Sequence, residues 1–148
     1  MISIQRIWRG LSRHGWGLSA EAALELVLAR LATMLPARYF LPCLHVASER
    51  TLPDVGQVSA ARRVGVVVAA VAQSLPFRAL CLQQAIAARR MLRRRGYSAA
   101  LYLGVNTTRA ARIAPKLGTA AHAWLCLGTE VICGDVGLDQ YAVVARFG

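Results

Sequence analysis

Gly96 divides this chain between two kinds of hydrophobic pattern, and their order limits the folds open to it. Before it, apolar residues recur at helical spacing; after it, they fall in short runs of strand length. Ser19 is placed as a helix N-cap, and Leu24, Val27, Leu28, Leu31 and Leu35 follow at helical intervals, so an amphipathic helix is predicted over Ala20 to Leu35. Pro36, Pro42 and Pro53 punctuate a connection. A second helix is predicted from about Val58 to Ser74, apolar on nearly every face between Val64 and Val71 and therefore central. The third begins near Pro76 or Phe77 and stops at Gly96, since proline suits a first turn and glycine a C-terminal stop. Strands are predicted over Ala99 to Val105, Ala120 to Leu127, Glu130 to Cys133 and Tyr141 to Phe147, with a tight turn at Gly128-Thr129 and a polar, basic loop from Asn106 to Gly118. Helices first and strands afterwards predict an α+β domain, its N-terminal helices packed on an antiparallel sheet. Residues 1–17, with Trp8, Trp16, Arg6, Arg9, Arg13 and His14, form a basic N-terminal arm, and residues 18–148 form one domain, helical to about 96 and stranded from about 98.

Composition narrows the setting. Hydrophobic residues make up 56% of 148, which argues against disorder. The best uncharged run, Val64 to Phe77, is fourteen residues, too short to span a bilayer and suited to a buried helix. Glu21 and Glu25 interrupt the apolar stretch that a signal sequence would need, so neither a signal peptide nor stable membrane insertion is expected. Cys43, Cys81, Cys126 and Cys133 show no Cys-x-x-Cys pairing and read as reduced thiols of a cytoplasmic protein. The net charge is +11, nearly all arginine, with Lys116 the single lysine. Arg89, Arg90, Arg93, Arg94 and Arg95 close the third helix, where cations complement the dipole, or else form a docking patch for an acidic partner. Nucleic acid is not expected, because no recognised motif accompanies the charge.

The chemistry-bearing residues concentrate around Cys81. It lies in the opening turn of the third helix, where unpaired amides and the dipole stabilise a thiolate. The bland alternative is a packing cysteine. His122 lies on a strand whose two faces are both apolar, one holding His122, Trp124 and Cys126, the other Ala121, Ala123 and Leu125. A histidine there needs a hydrogen-bond partner, whether as a core residue or as a base. His14 and His45 lie in the arm and in a proline-flanked loop, so His122 is the one on a rigid element. Asp135 follows Gly134, where a short hairpin would return it near His122; it could equally be a turn residue, and Asp139 is the runner-up. Nucleophile, base and orienting acid would then stand in the order Cys, His, Asp. Two other sets are weaker. Cys43 and His45 are too close in sequence to converge from different elements, and His122, Cys126 and Cys133 lack a fourth ligand for zinc.

These pieces resemble the leader-peptidase part of the B protein of lasso-peptide biosynthesis, a small transglutaminase-like, papain-like cysteine protease. The matching residues are Leu80-Cys81-Leu82 opening a helix, Leu92-Arg93-Arg94-Arg95-Gly96 closing it, the strand Ala100-Leu101-Tyr102-Leu103-Gly104-Val105, then Ala121-His122-Ala123-Trp124 and a hairpin leading to an aspartate. The likeness covers roughly Ala61 to the C-terminus, with a weaker helical match over Ala20 to Arg38. It departs from the family in Leu125-Cys126, where an acidic residue often follows the tryptophan, and in its long loop from Asn106 to Gly118. The resemblance implies Cys81 as nucleophile, His122 as base and then acid, and Asp135 as orienter. It implies cleavage of a leader from a ribosomally made precursor peptide, with a separate small leader-recognition protein and an ATP-dependent macrocyclase as partners. A fused recognition domain is not expected in this length. The Cys81 amide would be one oxyanion donor and Gln73 a candidate for the second. No metal or organic cofactor is required. The same triad could serve transglutaminase-type or acyltransferase exchange, and a non-catalytic peptide-binding scaffold is the alternative of a different class.

Overall fold

The computed structural model describes residues 15–40, 53–107 and 121–148. The arm to His14, Cys43, His45 and most of the loop after Asn106 lie outside these residues. The described elements are helices α1 (Trp16–Met34), α2 (Ala37–Phe40), α3 (Val55–Ala72) and α4 (Cys81–Arg94), and strands β1 (Ala100–Asn106), β2 (Ala121–Leu127), β3 (Glu130–Cys133) and β4 (Tyr141–Phe147). A 3-10 turn over Leu138–Gln140 precedes β4. The strands form one sheet in the order β3-β2-β1-β4, antiparallel at every pairing. The predicted α+β arrangement of helices on an antiparallel sheet is the one observed.

Three helix starts differ from expectation. Ser19 is not the N-cap of α1. The chain enters at Gly15, with φ 86°, and the Ser19 amide donates to the Gly15 carbonyl, which places Ser19 inside the first turn. α3 starts at Val55, because Asp54 and Gln57 make a reciprocal capping box. The Gln57 amide donates to Asp54 Oδ1 at 2.8 Å. α4 starts at Cys81 instead of near Pro76, which leaves Pro76 to Ala79 as an irregular lead-in. Its end is as predicted: Tyr97 N–H donates to the Leu92 carbonyl and Gly96 N–H to that of Arg93, with Gly96 at φ 78°. That is the double bond of a Schellman stop, and its left-handed residue is the one position where glycine costs nothing.

The buried face of α1 is also not the predicted one. Leu24, Leu31 and Leu35 are exposed, while Ser19, Ala22, Glu25, Leu26 and Ala29 are buried. Small side chains let α1 close on its neighbours, and the charge it buries is matched from α4. Glu25 is 2% exposed and pairs with Arg90 Nε at 2.9 Å and Arg94 Nη1 at 2.7 Å. Glu21 pairs with Arg94 and Arg95. Arg89 is buried and donates from Nε to the Ala99 carbonyl. Four of the five arginines suggested as a docking patch are therefore engaged inside the fold.

The core lies between helices and sheet. Ala85, Ala88, Met91 and Leu92 of α4 share one buried cluster with Val64, Val67 and Val68 of α3 and with Leu101, Leu125, Leu127 and Phe147 of the sheet. By length and composition α3 could cross a membrane. Here its Ala61, Val64, Gly65, Val67, Val68 and Ala72 are buried. Gly65 meets β3 backbone to backbone: a Cβ there would sit 2.0 Å from the Ile132 carbonyl oxygen.

Two outcomes follow. Gly65→Ala should destabilise the chain by about 1–3 kcal/mol, the scale of an overpacked core, as read by chemical denaturation. The Arg95 and Arg94 guanidiniums hold the Glu21 carboxyl down from 4.5 to about 2. Its folded value is depressed, so its contribution is complete above the unfolded value and is lost as pH falls from about 4.5 toward about 2. Glu21→Gln should cost roughly 1 kcal/mol at neutral pH, the scale of a partly exposed pair, and flatten the acid limb of the stability profile.

Candidate active site

Cys81 is the first residue of α4. Leu80 is the N-cap and offers no side-chain acceptor, so the first-turn amides beside the thiol have no side-chain cap. Gln83 reaches back instead, accepting from the Leu80 amide at 3.0 Å. Its other end donates to Thr33 Oγ1 on α1 at 2.9 Å. Helical spacing alone puts Gln83 on a polar face with Arg90 and Arg94; in the fold it is 2% exposed and pins the start of α4 to α1. Cys81 itself is half-buried against the helix-side core. Together these place a thiol at the N-terminal end of a helix that is pinned to α1.

The neighbouring thiols are different. Burial, followed by the charge of Cys81, pushes the Cys133 thiol up to about 11. Burial is also the largest cause raising Cys126. Both are held protonated and inert at neutral pH. They do not join His122 as metal ligands, since among the described residues no group of three or more His, Cys, Asp or Glu is arranged to hold a metal ion.

His122 sits near the start of β2, paired with Gly104 of β1. Ala123, Leu125 and Leu127 point into the helix-side core, so His122, Trp124 and Cys126 occupy the other face. There the His122 ring lies 6.1 Å from Trp124 and 5.1 Å from Tyr141. Trp124 stacks on Tyr102 at 5.7 Å with an interplanar angle of 7°. Arg146 caps the stack over Tyr102. Gly104 makes the stack possible, because a Cβ there would come 2.7 Å from the Trp124 ring. His122 Nε2 lies 2.7 Å from the Gly134 carbonyl oxygen.

Cys81 packs with Cys133 against the helix-side core, whereas His122 lies on the other face of β2 and bonds to Gly134, and Asp135 is the next residue, exposed on the turn. Among the described residues, no hydrogen bond joins Cys81 to His122 or His122 to Asp135. Asp139 is exposed in the 3-10 turn. Catalytic hydrogen bonds in resting enzymes are often long and tighten when substrate binds. Gln73 is the C-cap of α3 and lines an open hollow of about 430 Å³ with Leu75, Phe77, Arg78 and Gln84, against the segment that leads into Cys81. Gly134 and Tyr141 are site residues that sequence reasoning missed, and Gln83 stands out in the sequence without its bonds to Leu80 and Thr33 being legible. Gln83 carries a signal, a glutamine three residues after the N-cap, but Pro76 draws the expected helix start too early for it to be read.

A sequence model described as the transglutaminase-like superfamily matches residues 22–146. No curated protein and no solved structure matches the chain.

The thiol environments predict a labelling order. Brief treatment with iodoacetamide at neutral pH should modify Cys81 ahead of Cys126 and Cys133, read by peptide mass mapping. An adduct falling mainly on either buried thiol would contradict this assignment.

Proposed function

This chain belongs to the transglutaminase-like superfamily, and from that premise we propose that it is a cysteine peptidase removing the leader from a ribosomally made lasso-peptide precursor. The superfamily includes cysteine peptidases and transglutaminases, and its members are typically cysteine-dependent enzymes. The observation that carries the reading is Cys81 at the uncapped first turn of α4, with the other two described thiols, Cys126 and Cys133, raised by burial.

In the proposed reaction the Cys81 thiol passes its proton to His122 and the thiolate attacks the scissile carbonyl. The oxyanion forms beside the start of α4, where the Cys81 amide is a donor and Gln73 the candidate second. His122 returns the proton to the leaving amine of the core peptide. Water then attacks the thioester, losing a proton to His122, and the leader departs with a new carboxyl group as Cys81 recovers its thiol. Asp135, the residue after Gly134, favours the transient imidazolium. A separate leader-recognition protein would hold the leader, and an ATP-dependent macrocyclase would act on the released core, all in the cytoplasm. Because Arg90, Arg94 and Arg95 are paired within the fold, Arg93 is the cluster member best placed to meet an acidic partner.

The test is cleavage of a precursor peptide in the presence of its recognition protein, followed by mass spectrometry. Cys81→Ala should abolish cleavage while the chain stays folded. His122→Ala should approach that loss, about 10²-fold or more for removal of a general base. Asp135→Asn should lose less, since the imidazole remains. Full activity of Cys81→Ala would end the proposal, and transfer of the acyl group to an added amine in preference to water would move the chain to the exchange enzymes.

A further inference from the structure

The group that meets the ring nitrogen of His122 is a main-chain carbonyl, and its chemistry decides where the ring proton sits. A carbonyl oxygen has lone pairs and no proton to give. At 2.7 Å from Gly134 O, Nε2 must therefore be the donor, whatever the charge of the ring. In the neutral ring a proton on Nε2 leaves Nδ1 with the lone pair.

The surroundings hold that arrangement. Trp124 and Tyr141 flank the ring from β2 and β4. Gly134 stands at φ 85°, and a Cβ there would meet the Ala123 carbonyl oxygen at 2.7 Å and the Trp124 Cβ at 3.0 Å. Glycine is thus what allows β3 to end against β2 with its carbonyl aimed at the ring. Asp135 lies one residue further on, exposed, with no hydrogen bond to His122.

We infer that the Gly134 carbonyl, in place of a carboxylate, orients His122 and commits the neutral ring to the Nε2–H form, which leaves Nδ1 as the nitrogen free to take a proton. This rests on His122 being the base of the proposed reaction. Gly134 is a positioning residue: it acts through His122 and touches no substrate. Asp135 is left an electrostatic role, which its substitution should weaken without disturbing the tautomer.

The decisive experiment reads the tautomer directly. The full chain is labelled uniformly with ¹⁵N, and the ring nitrogens of its three histidines are recorded above the pH at which they are neutral. The His122 pair is assigned by its loss in H122Q. The expected spectrum has a protonated, pyrrole-type Nε2 and an unprotonated, pyridine-type Nδ1. Asp135→Asn should keep that pattern. Gly134→Ala should shift the Nε2 signal and lower kcat by about a hundredfold, the scale of a misplaced catalytic group. An Nδ1–H tautomer in the unaltered chain, or a tautomer that changes in Asp135→Asn, would overturn the inference. Because the tautomer is read without turnover, its failure is separate from failure of the leader-cleavage reading, which the Cys81→Ala assay decides. Should Gly134→Ala not fold, the spectra of the unaltered chain and of Asp135→Asn still decide between the two tautomers.

Discussion

Close approach between backbones is the constraint on which the rest of this structure depends. α4 meets the core with Ala85, Ala87 and Ala88, all fully buried, and α3 meets β3 through Gly65. Side chains this small let two helices and a sheet share one thin layer of contacts, so their relative positions are set by main-chain geometry. Small residues contribute modest hydrophobic area each, and tight packing supplies the dispersion contacts that make up for it. Larger anchors such as Leu26, Met91, Leu101 and Leu125 surround that layer. Its functional consequence is positional: α4 cannot slide, and the residue at its first turn is Cys81.

Electrostatics divides between the two ends of α4. At its C-terminal end, Arg90, Arg94 and Arg95 meet Glu21 and Glu25, and the arginines also oppose the negative end of the helix dipole. The first turn of the helix holds no acidic residue, and Gln83 is turned back to Leu80 and across to Thr33. The helix is thus tied to α1 at both ends by different chemistry.

Much of this was legible in the sequence, and the misses share a cause. Strand limits came within a residue, since alternation and a glycine turn are local signals; β3 and β4 agree to the residue. The stop at Gly96 was legible for the same reason. Helix starts were not, because the reciprocal bonds of Asp54 with Gln57, and the bond from the Leu80 amide back to Gln83, are revealed only by a folded turn. The different buried face of α1 was hidden because size misled: Leu24 and Leu31 face out, while two alanines and a carboxylate join Leu26 facing in. Glu25 looks like a surface residue until arginines about seventy positions away are brought to it. At the candidate site, Cys81 in a first turn and His122 on a strand were readable from pattern. The Gly134 carbonyl was not, since a main-chain atom leaves no trace in residue type beyond the glycine itself.

The two halves of the candidate site also differ in how far along the chain their contacts reach. His122 and Gly134 belong to one hairpin, closed by the Gly128-Thr129 turn, and their bond spans twelve positions. Cys81 is held through Gln83 to Thr33, fifty positions away, and through α4 to Glu21, more than seventy away. Closing the longer loops costs more chain entropy. The histidine cradle is therefore a local, self-contained unit, whereas the nucleophile's placement is a property of the whole helical layer. A change that loosens α1 would be felt at Cys81 before it was felt at His122.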